Sequence, residues 1–399
     1  MTENNRFTLL FIMAALFMSL SISAQVGGEE GLKREFAPIN TAVPSLTIAP
    51  DARGGAMGDN GASTLPDENS QFWNPAKYAF MDSKAGVSLS YTPWLRKLVS
   101  DVALANLSGY YKIGDNGLQA IGASLRYFSL GSVPVVSDVN SGIDYSIYPY
   151  EMAFDISYSR KLSEYYSMSV ALRYIRSDMG VDKMNEQVPG NAYAADVSGY
   201  GETYLMLGNA ESLWSFGFNV SNIGTKISYN EGNTNHFLPT MLKIGTGLLY
   251  PVDEYNRFGI YLDLSKYLVP TLARSAGTTL DETVEYEKKL QEFYNMPPIT
   301  GIFKSFSDAP DGFREELKEI IVSIGSEYSY NEQFFLRGGY YYENPYKGNR
   351  QYFSAGIGFR MDALRVDAAY LISTVQNNPL DQTLCFSLSF DMDGLQNLL

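Results

Sequence analysis

The sequence predicts an all-β fold, a transmembrane antiparallel β-barrel of about fourteen strands. Three observations lead there. About fourteen short segments alternate apolar and polar residues one for one. The connectors between them are alternately terse and long, and a hydrophobic leader precedes them all. A chain built this way crosses a bilayer with strands, one face toward lipid and the other toward a polar interior.

At the N-terminus, Arg6 is followed by an apolar run from Phe7 to Ile22, and Ile22-Ser23-Ala24 before Gln25 offers a small-residue cleavage site. Residues 1–24 therefore read as a secretory signal peptide, and the mature chain leaves the cytoplasm. Residues 25–84 are too rich in Gly, Pro, Asp and Ala to form a further strand pair. They are expected to fold as a plug inside the barrel, where small residues let backbone pass close to a wall.

The barrel is expected over 85–390, with a tail at 391–399. In one strand Met152, Phe154, Ile156 and Tyr158 alternate with Ala153, Asp155, Ser157 and Ser159; in another Leu384, Phe386, Leu388 and Phe390 oppose Cys385, Ser387 and Ser389. The strands are placed near 85–92, 101–113, 118–130, 149–160, 166–177, 192–208, 213–223, 240–250, 257–266, 319–329, 334–343, 351–360, 363–373 and 382–390. Short links at Gly114 to Gly117, Leu162 to Tyr165, Asn209 to Ser212, Pro251 to Asn256, Tyr330 to Gln333 and Met361-Asp362 are expected to be periplasmic turns. The long links, above all 267–318, are then extracellular, and an even strand number leaves both termini in the periplasm.

Composition bears on function as much as on fold. A mean hydropathy of -0.15 gives no sign of helical spans, yet excludes little, because barrel strands devote half their positions to a polar lumen. Tyr91, Tyr111, Tyr127, Tyr158, Tyr250, Tyr328 and Tyr370 fall at segment ends, as interfacial girdles do. Arg126, Asp155, Arg173, Asp263, Glu327, Arg337, Arg365 and Asp367 fall on the polar side of their strands, consistent with a pore or with salt bridges around a plug. A basic residue at mid-depth on the lipid face would cost about 2–4 kcal/mol, which fixes the register. The net charge of -14 argues against nucleic acid as a partner.

Catalysis and cofactors find little support in the residues. One histidine, His236, and one cysteine, Cys385, make neither a disulfide nor a transition-metal site, and no catalytic residue, metal or cofactor is expected. His236 stands at a loop-to-strand boundary without an evident carboxylate, and Cys385 reads as an inert inward residue. Scattered carboxylates suit calcium only if the fold gathers them.

The loop 267–318 is the most distinctive candidate for partner recognition. Thr279-Leu280-Asp281-Glu282 has capping-box spacing, after which Tyr286, Leu290, Phe293 and Tyr294 share one helical face opposite Glu285, Glu287, Lys288 and Glu292. Either the apolar stripe is a lid packed on the barrel mouth or it binds a partner; the acidic face, with Glu285 and Glu292, points outward in both cases. A second helix is expected over 311–319, with Phe313 and Leu317 inward.

Within the plug, Pro50-Asp51-Ala52-Arg53-Gly54-Gly55-Ala56-Met57-Gly58 is followed by Trp73-Asn74-Pro75-Ala76. This pairing resembles the N-terminal hatch of FadL-type fatty-acid channels. The longer runs Ile48 to Asp59 and Asn69 to Lys77, with Phe218 to Gly224 and Phe353 to Phe359, are similar to the PorV family, also called LptO, the FadL-like outer-membrane proteins of the type IX secretion system. The tail after Phe390 departs from barrels that end on the aromatic residue itself. The resemblance implies a non-enzymatic shuttle that meets the translocon barrel, receives cargo through its C-terminal signal domain, and passes it to a surface attachment complex containing a sortase-like protease. It also implies contact with outer-membrane lipid and an accessory part in lipopolysaccharide O-deacylation. A FadL-type channel for hydrophobic small molecules is the alternative.

Overall fold

The computed structural model describes residues 37–94, 101–114, 116–135, 145–180, 188–232, 234–272, 280–309, 312–375 and 381–392. The leader and the tail beyond 392 lie outside them, as does Thr279 of the capping box.

The strands are β1 (Ala85–Pro93), β2 (Val102–Ile113), β3 (Gln119–Leu130), β4 (Val133–Val135), β5 (Tyr145–Ile147), β6 (Tyr150–Ser163), β7 (Tyr166–Asp178) and β8 (Gly190–Leu207). They continue as β9 (Ala210–Gly224), β10 (Met241–Pro251), β11 (Asn256–Tyr267), β12 (Ile321–Tyr330), β13 (Phe334–Tyr342), β14 (Gln351–Met361), β15 (Leu364–Ser373) and β16 (Leu384–Asp391). Strands β4 and β5 pair as a hairpin within the 131–148 connector, and the other fourteen close an antiparallel barrel, sealed by β1 against β16 from Gly86↔Asp391 to Tyr91↔Phe386. Every barrel strand lies within three residues of its expected bounds.

The period of two is what closes it. On β6, Phe154, Ile156 and Tyr158 are 48%, 47% and 43% exposed toward the outside, while Ala153, Asp155, Ser157 and Ser159 are buried inside. Seven of the expected interior charges, Arg126, Asp155, Arg173, Asp263, Glu327, Arg337 and Asp367, are buried in the lumen, and Arg365 pairs there with Asp367. At the tight end, the Tyr330 to Gln333 link turns through Asn331 and Glu332, both left-handed at φ 53° and 52°, whose twist matches the flanking strands. No helix among the described residues is long and apolar enough to cross a membrane; the crossing belongs to the strands.

The lumen is filled by residues 37–84. They form a 3-10 turn at Pro44–Thr47, α1 (Ala52–Ala56), α2 (Ser70–Trp73) and a 3-10 helix at Pro75–Phe80. Such short helices hold only through caps and packing. The Asp51 carboxylate accepts from the Gly54 N–H at 2.8 Å, and Asn74 caps the last turn through the Ala76 N–H, with Pro75 at its first position.

This hatch touches all fourteen barrel strands. Going round, it meets Gly86 on β1, Ser108 on β2, Arg126 on β3, Ser159 on β6, Ser167 on β7, Gly199 on β8 and Asn219 on β9. It then meets Lys243 on β10, Asp263 on β11, Ser323 on β12, Gly339 on β13, Ser354 on β14, Ala369 on β15 and Ser387 on β16. Glycines on the wall give it room: a Cβ at Gly217 would fall 2.0 Å from the Ala62 carbonyl oxygen, and one at Gly339 2.1 Å from the Met57 carbonyl carbon. Those neighbours are backbone and cannot rotate away. Gly339→Val is therefore expected to displace the Met57-Gly58 segment while the strands still pair, read as faster hydrogen exchange at residues 54–60 with unchanged heat-modifiable migration on gels; normal protection would refute this.

Candidate functional site

Two regions gather the candidate side chains: the hatch core and a cap over one mouth of the barrel. In the hatch, Asp51 Oδ1 accepts from the Trp73 indole N–H at 2.6 Å, so the two halves of the motif are tied by one carboxylate. The indole leaves no space for a Cβ at Gly54, and Lys243 Nζ stands 4.5 Å from its ring centroid, a cation–π contact. Gly55 faces open space, Met57 is fully buried, and Gly58 takes φ +69°, a conformation that glycine adopts without cost. The Pro50 carbonyl approaches Cys385 Sγ at 4.0 Å; the thiol, buried, accepts from Thr92 at 3.0 Å. Asn74 Nδ2 donates to Ala62 and Gly199 carbonyls at 2.8 and 2.9 Å, and the Pro75 carbonyl accepts from Ser159 at 2.7 Å.

Arg53 joins hatch to wall. Its guanidinium donates to Asp67 at 2.8 Å within the hatch and, as a fork, to both oxygens of Glu327 at 3.2 and 3.1 Å. Glu327 also accepts from Arg337 at 2.6 Å, Arg337 reaches Asp367 at 2.7 Å, and Asp367 accepts from Arg365 at 2.9 Å. The result is a buried chain of alternating charge, Asp67–Arg53–Glu327–Arg337–Asp367–Arg365. A second knot sets Arg173 against Asp155 at 3.2 Å and Asp196 at 2.8 Å. Asp67, Asp196 and Lys77 were not singled out from the sequence; Lys77 Nζ donates to Gly61 and Thr64 at 3.0 Å each. Periodicity marks the strand residues of such chains and says nothing of their hatch partners.

In the cap, the connector between β11 and β12 carries α3 (Leu280–Asn295), α4 (Pro298–Lys304) and α5 (Phe313–Glu316), the last continued by a 3-10 turn at Leu317–Glu319. The stripe on α3 turns inward. Phe293 is 6% exposed and lies 5.1 Å from the Phe237 ring, Tyr294 meets His236 edge-on at 5.4 Å, and Tyr286 and Leu290 are half-buried. Phe293 is thus spent on the barrel's own mouth. Glu285, Glu287, Lys288 and Glu292 stand exposed on the other face. Lys226 closes the helix end, donating to the Phe293 and Tyr294 carbonyls at 2.9 and 3.0 Å, where the helix dipole favours a cation. Burial brings its ammonium pKa down to about 8.

The second helix is oriented opposite to expectation. Phe313 and Leu317 are outward, 76% and 51% exposed, while Glu315, Glu316 and Glu319 are buried. Two lysines distant in sequence draw the acids in: Lys347 Nζ lies 2.7 Å from Glu315 and 2.9 Å from Glu319, and Lys266 Nζ lies 2.9 Å from Glu316. Three buried carboxylates with partners outweigh the burial of two apolar side chains that can instead be left at the surface. Burial works against the Lys347 ammonium, but Glu315 and Glu319 hold its pKa above the ordinary lysine value.

His236 pairs with Ile227 in an isolated bridge, and burial, with Lys226 nearby, lowers its imidazole below the usual range. The ring packs between Tyr229 and Tyr294. Among the described residues no group of His, Cys, Asp or Glu is disposed to hold a metal.

A family model described as "Type IX secretion system protein PorV" matches residues 32–274, more than half of the chain, spanning the hatch and β1 through β11. The chain belongs to the PorV family. As a PorV-family barrel it is an outer-membrane component of the type IX secretion system. Solved structures with a similar course include the Ralstonia pickettii toluene transporter TbuX, at 12% identity and TM-score 0.43, over 88% of this chain and 100% of that one. A Pseudomonas aeruginosa FadL homologue matches at 11% identity and TM-score 0.46 over 86% and 99%, and the P. putida toluene transporter TodX at 12% and 0.47 over 87% and 99%. No curated protein matches the chain.

Proposed function

We propose that this PorV-family barrel is a non-enzymatic shuttle of the type IX secretion system. It binds the C-terminal signal domain of cargo at the translocon and delivers the cargo to the surface attachment complex with its sortase-like protease. The observation that carries this reading is the hatch, which touches every strand of the wall and is held by the Arg53 ion pairs, so that it occupies the lumen and leaves a polar cavity of about 330 Å³ beside Arg53 and Glu327. A barrel occupied this way is suited to presenting a surface. The outward acidic face of α3, with Glu285, Glu287 and Glu292, offers one for protein recognition, and Tyr286, Leu290 and Tyr294 border it.

Affinity purification from membranes tests the proposal. The wild-type chain is expected to co-isolate the translocon and secreted cargo, and Glu285→Lys, Glu287→Lys and Glu292→Lys together are expected to lower cargo recovery by about ten-fold or more, a loss worth about 1.4 kcal/mol. Recovery of a fatty acid or an aromatic hydrocarbon with no protein partner would favour the channel reading instead. Unchanged cargo recovery in the triple variant would move recognition away from α3.

A further inference from the structure

An open groove of about 690 Å³ runs along the outer wall where β7, β8 and β9 meet the turn after α3. Its floor is Ala195 and Ile223, paired across β8 and β9 beside a register shift between Ala195 and Val197. Leu172 and Tyr193, 63% and 65% exposed, wall it on the strand side, and Met296 and Ile299 overhang from the loop. Small side chains on the floor between larger ones make the depression.

Two properties say what meets it. The groove is continuous with the lipid-facing belt: Leu172 lies midway along β7, paired with Ala195, so the depression descends from the extracellular end into the apolar band. Among its lining residues Lys226 alone is charged, at the upper end, in a chain whose net charge is -14. Two of the three ammonium protons go to the Phe293 and Tyr294 carbonyls, the Nζ stands 3.8 Å from the centroid of the Phe237 ring, and no carboxylate among the lining residues neutralises the charge. The volume falls within the roughly 300–1,000 Å³ usual for ligand sites.

We propose that this groove holds one acyl chain of a lipid with a net anionic headgroup, its phosphate at Lys226, in the outer leaflet when the mouth with the long connectors is taken as the extracellular one. Hydrocarbon is the medium in which the groove opens, and an anionic headgroup is what its single cation would select. The site is independent of cargo binding and needs only that the barrel sit in a bilayer. Bound there, the chain would brace the α3–α4 turn against the wall.

The test uses the full-length chain in nanodiscs of phosphatidylcholine, alone or mixed with phosphatidylglycerol, the acyl chains carrying a photoactivatable diazirine, with labelled residues mapped by mass spectrometry. Labelling is expected to concentrate at Leu172, Ala195, Ile223 and Met296 over belt positions such as Leu89 and Phe386, and to favour phosphatidylglycerol. Lys226→Gln should reduce that preference about five-fold, the worth of one basic residue at a charged membrane surface, and Lys226→Arg should restore it. Ala195→Trp, which fills the floor without touching the helix cap, should remove the enrichment for both lipids. Even labelling around the belt, or enrichment that survives Ala195→Trp, overturns the site; equal labelling by both lipids in wild type overturns the assignment of Lys226.

Discussion

Arg53→Ala is expected to release the hatch while leaving the barrel assembled. The substitution deprives the buried Asp67 of its ion-pair partner and takes from the buried Glu327 one of its two, contacts that Arg53 makes at 2.8 and 3.1 Å. Removing one partner of a buried pair costs about 3–5 kcal/mol, because the remaining charge keeps its desolvation penalty. The wall does not bear that cost, since its closed ladder satisfies every strand and Glu327 keeps Arg337. The hatch, made of helices of a few residues, bears it. Hydrogen exchange at residues 50–77 should accelerate by about two orders of magnitude or more, and conductance in planar bilayers should rise above the wild-type level. Arg53→Lys should rescue only in part, because an ammonium cannot fork onto both Glu327 oxygens. If exchange and conductance both stay at wild-type levels, the ion pairs are not what retains the hatch.

Lys347→Met is expected to have a comparable effect at the mouth where the β11–β12 connector lies. It takes from the buried Glu315 and Glu319 the ammonium that they share, a loss of about 3–5 kcal/mol, and leaves Lys266 to hold Glu316 and Glu319. The segment 312–319 should swing out, and a glutamate-specific protease should cut at Glu315, Glu316 and Glu319, which wild type buries, about a hundred-fold faster. The triple variant Lys347→Met, Glu315→Gln and Glu319→Gln, read at Glu316, the one of those three cleavage sites that it keeps, should recover most of the protection, since the two carboxylates that Lys347 held are then neutral. Equal cutting of wild type and Lys347→Met would show that the loop is fixed by packing alone.

The wall was legible because one physical rule governs it everywhere. A residue on β6 or β16 faces either hydrocarbon or the lumen, so alternation at Phe154, Asp155, Ile156 and Ser157 specifies both strand and register. The inward stripe of α3 was legible for a similar reason: Tyr286, Leu290 and Phe293 are neighbours on a helix and their periodicity is local. Phe313 and Leu317 follow the same periodicity and point the other way. What turns them is Lys266 on β11 and Lys347 after β13, and helical spacing carries no information about ion pairs formed across 50 and 32 residues of chain. The hatch motif was legible as a segment, through its glycines and Asn-Pro, but its partners on the wall, Glu327 for Arg53 and Asp155 for Gln71, are fixed by three-dimensional closure alone.

The reach of the hatch also bears on how the molecule is assembled. Its residues precede β1, and its N-terminal half lies across the last joint to close: the Ala52 N–H donates to Ser387 of β16 at 2.8 Å, and Ser387 meets Ser90 of β1 at 2.8 Å. A cylinder can be wrapped around such an insert but not threaded by it afterwards without breaking contacts on every side. The insert then acts as a mandrel. With contacts on every stave, a wall of twelve or sixteen strands would leave it either crushed or loose, so the same few dozen residues that stop the lumen also gauge its circumference.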